Sequence, residues 1–192
     1  MATQMLKIDN TQCNISAVTP VSCSIGEGKE TRMSLCLIFT TRAEHLDQLK
    51  KGLRKALYAK VPKNKKGDDN AEPQSDAFPN EDAELTEQRF AGKLPSIPWD
   101  DMLEGYNMAL GSGLTATEAK CFEGVKLKNF TIWAQSAGMV KIKVSAQVEC
   151  DTYTKGWLCE ILRHDMQLWL SPPGEELDFG FEEEHEEEME VE

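Results

Sequence analysis

The chain has 192 residues, 33 acidic against 21 basic, for a formal net charge of −12 with 40% hydrophobic residues. That length suits one domain with a proper core, and the longest apolar run, Met33–Thr40, falls well short of the ~18 residues a membrane span needs. The opening MATQMLKIDNTQ has no apolar signal-peptide core, and cysteines at 13, 23, 36, 121, 150 and 159 show no C-x-x-C spacing, which favours buried free thiols in a reducing compartment over a disulfide framework.

Charge is segregated along the chain. Eleven acids fall between Glu175 and Glu192 with no Lys or Arg, leaving 22 acids against 21 bases before that point. The acidity therefore belongs to the C-terminal segment, and a like-charged block of this kind is expected to be a disordered interaction tail. The reading is one β-rich domain over residues 1–174 and an acidic tail over 175–192.

In chain order, Asn10–Ser24 alternates and carries one proline, as an edge strand does. Arg32–Thr41 pairs with it across the turn IGEGKE, with Leu35, Leu37 and Phe39 on one face, Cys36 and Ile38 on the other, and both faces covered. A helix is predicted over Ala43–Ala59, with Thr41 as N-cap, Glu44 completing a capping box and Leu46, Leu49, Leu53, Ala56 and Leu57 as the apolar stripe. Lys50–Lys66 holds eight bases, and Gly67–Gln88, with eight acids and no base, is predicted to be a flexible loop. Phe90–Trp99 reads as extended and Glu104–Leu110 as a strand. A long hairpin follows, Glu118–Ala134 and Gly138–Glu149 around Gln135–Gly138. Thr152–Arg163 is predicted to be a short amphipathic helix and Asp165–Leu170 a closing strand stopped by Pro172 and Pro173. The expected class is α+β and mainly antiparallel: a curled sheet, OB-like barrel or sandwich, with two helices.

Chemistry concentrates on the hairpin. If Trp133 lies opposite Val140, then Thr131–Ile142, Asn129–Val144, Leu127–Ala146 and Val125–Val148 form the core face. The outer face then gathers Lys126, Lys128, Lys141 and Lys143 around an exposed Phe130. Cations for phosphates and a ring for a base are what single-stranded nucleic acid needs; ordinary solvent-facing lysines are the alternative. Lys50, Lys51, Arg54 and Lys55 offer a second basic cluster. Enzymatic patterns are missing. His45, His164 and His185 have no acid–nucleophile partners, and Asp100-Asp101 with Glu104 reads as a turn and helix start. The cysteine spacings fit no zinc site, and Gly111–Gly113 lacks a following Lys-Ser/Thr. No catalysis, metal or cofactor is expected.

The order Gly52-Leu53, Ala56-Leu57-Tyr58, Leu94-Pro95, Pro98-Trp99, Gly105-Tyr106, Gly138 and Pro172-Pro173 resembles a family of small tailed-phage proteins without assigned function. That resemblance implies a viral protein in a host cytoplasm. The overall plan is also similar to phage single-stranded DNA-binding proteins, which join a small barrel to an acidic tail containing hydrophobics. It implies a tail that competes with DNA and recruits replication or recombination proteins, here through Leu177, Phe179, Phe181, Met189 and Val191. The expected function is a non-catalytic phage single-stranded DNA-binding protein, with no membrane association and a homo-oligomer left open. The alternatives are an inhibitor of a host defence nuclease acting as an acidic nucleic-acid mimic, and a virion assembly accessory.

Overall fold

The computed structural model describes residues 5–25, 28–60, 85–90, 96–112 and 119–177. Its first elements are two long strands, β1 (Ile8–Ile25) and β2 (Gly28–Arg42). They pair antiparallel, with Cys13 opposite Phe39 and Ile15 opposite Leu37. After helices α1 (His45–Leu49) and α2 (Leu53–Leu57), β3 (Tyr58–Lys60) pairs with β4 (Leu85–Gln88). Then come β5 (Ile97–Trp99), β6 (Leu103–Gly111), β7 (Lys120–Ala134), β8 (Met139–Val148), α3 (Thr152–Glu160) and β9 (Asp165–Ser171).

The antiparallel ladders close on themselves. β1 pairs with β2 and β9, β2 with β8, β8 with β7, β7 with β6, and β6 with β9. Among the described residues this ring has six strands, and β5 adds to β7 beyond the reach of β6. Register shifts after Ile8 and Ile15 in β1 and around Tyr106 in β6 mark bulges, which bend strands and let a sheet curl into closure.

Alternation fills the interior. Leu35, Leu37 and Phe39 of β2, every second residue from Val140 to Val148 of β8, and Leu168 and Leu170 of β9 are buried. At roughly 25 cal/mol per Å² of apolar surface removed from water, this continuous cluster is the main stabilising term. The opposite face of β2 is not covered as expected: Cys36 and Ile38 are half-buried on the outside. Nor are the thiols mainly buried. Of the five cysteines whose side chains are described, all free, Cys13 alone is in the core, while Cys121 and Cys159 are exposed.

The predicted first helix is broken. Gly52 takes φ +85°, splitting it into two five-residue pieces. Asp47 Oδ1 accepts from Gly52 N (2.9 Å) and Arg54 N (3.2 Å), so the break has its own cap. Thr41 is not the N-cap; it belongs to β2, bonded to His45 Nδ1 at 3.0 Å, and Glu44 takes the cap position. The expected flexible loop also ends early, because Leu85–Gln88 is strand β4; residues 61–84 lie outside the described ones. No helix starts after Asp101, where β6 begins at Leu103. α3 matches its expected start, capped by Asp151, whose Oδ1 accepts from Thr154 N at 2.6 Å. Among the described residues, no helix is long and apolar enough to cross a membrane.

Candidate nucleic-acid interface

The lysine-bearing hairpin has a local sequence irregularity that decides its two faces. In β7 the apolar residues Val125 and Leu127 give way to Phe130 and Ile132, with two polar residues, Lys128 and Asn129, between them. Two polar residues in a row shift the phase of a period-two pattern. The strand accommodates the shift as a bulge. Leu127 lies opposite Ala146 and Lys128 opposite Ser145, but Thr131 lies opposite Lys143 and Ile132 opposite Ile142. Asn129 absorbs the extra residue at φ +55°, a left-handed conformation that Asn tolerates better than most side chains.

The bulge corrects half of the expected register. Below it the partners are as predicted, Leu127 with Ala146; above it they move by one, and the faces exchange. Phe130 is 1% exposed and packs edge-on against Trp99, with ring centroids 4.9 Å apart at 73°. It cannot stack on a base. Trp133, expected inside opposite Val140, instead faces outward opposite Lys141. Lys141 Nζ stands 5.9 Å from the Trp133 ring centroid, within cation–π range. The aromatic that sequence reasoning missed is therefore Trp133, and the signal that could have found it is the Lys128-Asn129 pair.

All four hairpin lysines share this outer face, because Lys126 and Lys128 lie opposite Gln147 and Ser145, and Thr131 and Trp133 opposite Lys143 and Lys141. Lys143 is exposed, and Lys126, Lys128 and Lys141 are half-buried. Lys126 Nζ lies 3.1 Å from Glu104 Oε1, a surface pair of a kind worth about 0–1 kcal/mol, weak enough for a phosphate to displace.

The hairpin tip is fixed by the elements around it. Gly138 takes φ +67°, donates to Thr86 O (3.2 Å) and accepts from Ala43 N (2.8 Å). Gln88 Nε2 donates to Ala134 O at 2.9 Å. The buried Tyr58 hydroxyl donates to Met139 O and accepts from Gln135 N at 3.1 Å. Burial raises the Tyr58 pKa, so this hydroxyl keeps its proton and its donor role.

The second basic cluster separates. Lys50, Lys51 and Lys55 are exposed around the α1–α2 turn. Arg54 is 7% exposed, with its Nη2 3.8 Å from Glu44 Oε1 and its Nε buried without a partner. Its place in the expected phosphate cluster is a correction: Arg54 and Leu57 are the buried residues of α2, which packs against α1 and the β3–β4 pair. Among the tail anchors, Leu177 is half-buried, and Phe179, Phe181, Met189 and Val191 lie outside the described residues. The tail's first residues are held to the barrel. Asn107 Nδ2 donates to Glu175 O (3.1 Å), Ser171 Oγ donates to Glu176 O (3.1 Å), and Glu175 pairs with Lys7 at 3.6 Å.

Pairing carries the outer face beyond the hairpin. Thr131, Lys143, Ile38, Asn14 and Asp165 follow one another across β7, β8, β2, β1 and β9. Beside them lie two open depressions that share Thr40. One, of about 280 Å³, is lined by residues including Gln12, Asn14, Ile38 and Asp165; the other, of about 500 Å³, by residues including Asp9, Thr11, Glu44 and His45. Cys13 sits under the first but points into the core, where burial and then Asp165 raise its thiol pKa to about 12, far from that of a nucleophile. The fold and face together define a closed antiparallel barrel with a cationic, tryptophan-bearing outer surface. No family model, curated protein or solved structure matches the chain.

Proposed function

We propose that the protein is a non-catalytic single-stranded DNA-binding protein whose contact surface is the outer face of the β7–β8 hairpin. The observation that carries this reading is the Asn129 bulge, which places Trp133 on the same face as Lys126, Lys128, Lys141 and Lys143. The lysines meet phosphates and Trp133 stacks on a base, a combination that tolerates any sequence. The ring has six strands where an OB fold has five, so the reading rests on the chemistry of the face and not on kinship with that fold. In the same reading the acidic segment from Glu175 onward imitates the polyanion and competes for the lysine face. Its hydrophobics then engage replication or recombination proteins in a phage-infected cell.

The test is fluorescence anisotropy of a labelled mixed-sequence single strand across a salt series. Full-length protein, a form ending at Leu177 and a Lys126, Lys128, Lys141, Lys143→Glu variant are compared. Tighter binding by the shortened form, steep weakening with salt and loss in the variant are expected. Absence of binding by either lysine-bearing form at low salt refutes the proposal and returns the acidic surface, as a nucleic-acid mimic, to first place.

A further inference from the structure

The β1–β2 ribbon is longer than the ring it belongs to. β9 pairs with β1 only as far as Asn14, and β8 pairs with β2 only from Met33 onward. Beyond those points Val21–Ile25 still pairs with Gly28–Arg32, so roughly 16 Å of two-stranded ribbon extends past the ring. A ribbon of two strands without a third is marginal in water.

Two independent observations fix the backbone polarity of its β1 edge. Ile15 N donates to His164 O (3.3 Å) and Ile15 O accepts from Arg163 N (2.7 Å), so Ile15 turns its peptide groups toward β9. Ile15 lies opposite Leu37 and Ala17 opposite Cys36, which makes Ser16 the extra residue of a bulge and passes the β9-facing phase to even-numbered positions. Pro20 agrees. It sits opposite Met33 in the ladder, and a strand proline turns its nitrogen away from its partner. The register is unbroken from Ala17 to Ile25, so Val18, Ser22 and Ser24 direct N–H and C=O away from β2. Among the described residues no backbone group meets them there.

The two edges of the ribbon differ in charge. β2 carries Lys29, Glu30 and Arg32, and Arg32 pairs with Glu149; charged residues keep an edge from pairing with another chain. Asn10–Ile25 has no charged residue, and only Pro20 interrupts its row of donors. We infer that the β1 edge from Val18 to Ser24 is a homodimer interface, pairing antiparallel with the same segment of a second copy. A twofold axis brings this uncharged stretch onto itself, so the copies meet without like-charge contact despite a net charge of −12 each. The product is a four-stranded β2–β1–β1–β2 sheet, past the strand number at which a ribbon is marginal. The chain's own acidic segment fits this edge less well, since glutamate is depleted in strands. The pairing needs no nucleic acid, and the lysine face lies on other strands.

The experiment is sedimentation equilibrium of full-length protein without nucleic acid. Between about 1 and 100 μM a monomer–dimer equilibrium is expected, because interfaces below ~1,200 Å² give weak association. Ser22 is exposed. Ser22→Pro removes an open-side donor from each copy and leaves the ladder to β2 intact, while Ser22→Lys sets like charges at the twofold contact. Each should raise the dimer Kd about tenfold or more. Thr31 lies opposite Ser22 and turns its peptide groups to the other edge, so Thr31→Pro should leave the Kd unchanged. Hydrogen exchange should protect the Val18, Ser22 and Ser24 amides in proportion to the dimer present. Circular dichroism checks that each variant folds, and Ser22→Lys decides if Ser22→Pro does not. A monomer at every concentration, a dimer that survives the Ser22 variants, or a dimer lost only in Thr31→Pro overturns the inference. Protection of those amides in a monomer overturns it as well, by showing the edge covered within the chain.

Discussion

Replacing Phe130 and Trp133 by alanine, one at a time, separates the bulged hairpin from an unbroken one. Phe130 is 1% exposed and packed against Trp99 at 4.9 Å, and a buried Phe→Ala change leaves a cavity costing about 3–5 kcal/mol. In a domain of this size, where about 1 kcal/mol shifts Tm by ~2–4 °C, Phe130→Ala should melt roughly 10 °C lower. Trp133 is half-buried on the outside, so Trp133→Ala should cost about 1 kcal/mol of stability. Losing a base-stacking ring is worth about 1–3 kcal/mol, a roughly 5- to 150-fold rise in Kd for single-stranded DNA. Urea unfolding followed by circular dichroism gives the stability of each variant, and anisotropy at fixed salt gives the affinity. The reasoning fails if the effects are exchanged, with Phe130→Ala neutral to stability but poor in binding and Trp133→Ala strongly destabilised. That outcome would mean an unbulged strand with Phe130 outside.

Three further outcomes follow from the geometry. Gly138→Ala should destabilise by about 1–2 kcal/mol, because its φ is +67° and a Cβ would stand 3.2 Å from Thr86 Cγ2; chemical denaturation measures it. The Cys13 thiol pKa, raised to about 12 by burial and then Asp165, makes the folded state hold a proton the unfolded chain releases above pH 9. Its contribution is therefore complete below pH 9 and lost toward pH 12, at about 1.4 kcal/mol per pH unit; burial raises the Tyr58 and Tyr106 pKa values and adds the same sign at higher pH. Cys13→Ala should flatten the stability profile between pH 9 and 10 in urea titrations, and an unchanged slope would contradict the assignment. Under native conditions a thiol reagent should modify Cys121 and Cys159 rapidly and Cys13 only on unfolding, as mass spectrometry of digested protein would report.

Much of the scaffold was legible in the chain itself. Period-two alternation located the strands of both long hairpins, because residues on the two sides of a sheet meet different solvents and the pattern is a direct record of that. The first helix reads as continuous through Gly52, and its break there, at φ +85°, came only from the structure. Composition alone separated an acidic C-terminal segment from a nearly neutral remainder. Other features depend on contacts far apart in sequence. Closure of the ring through β6–β9 and β1–β9 joins segments that no local pattern connects. The small β3–β4 sheet, which receives the hairpin tip, draws one strand from a stretch that reads as loop. The identity of the aromatic on the lysine face turned on a single residue of register, since one extra residue at Asn129 inverts every side chain beyond it. The sequence determined which residues carry charge and which are apolar; tertiary pairing decided that Trp133 and not Phe130 stands among the lysines, because β8 keeps an unbroken alternation and β7 must bulge to match it.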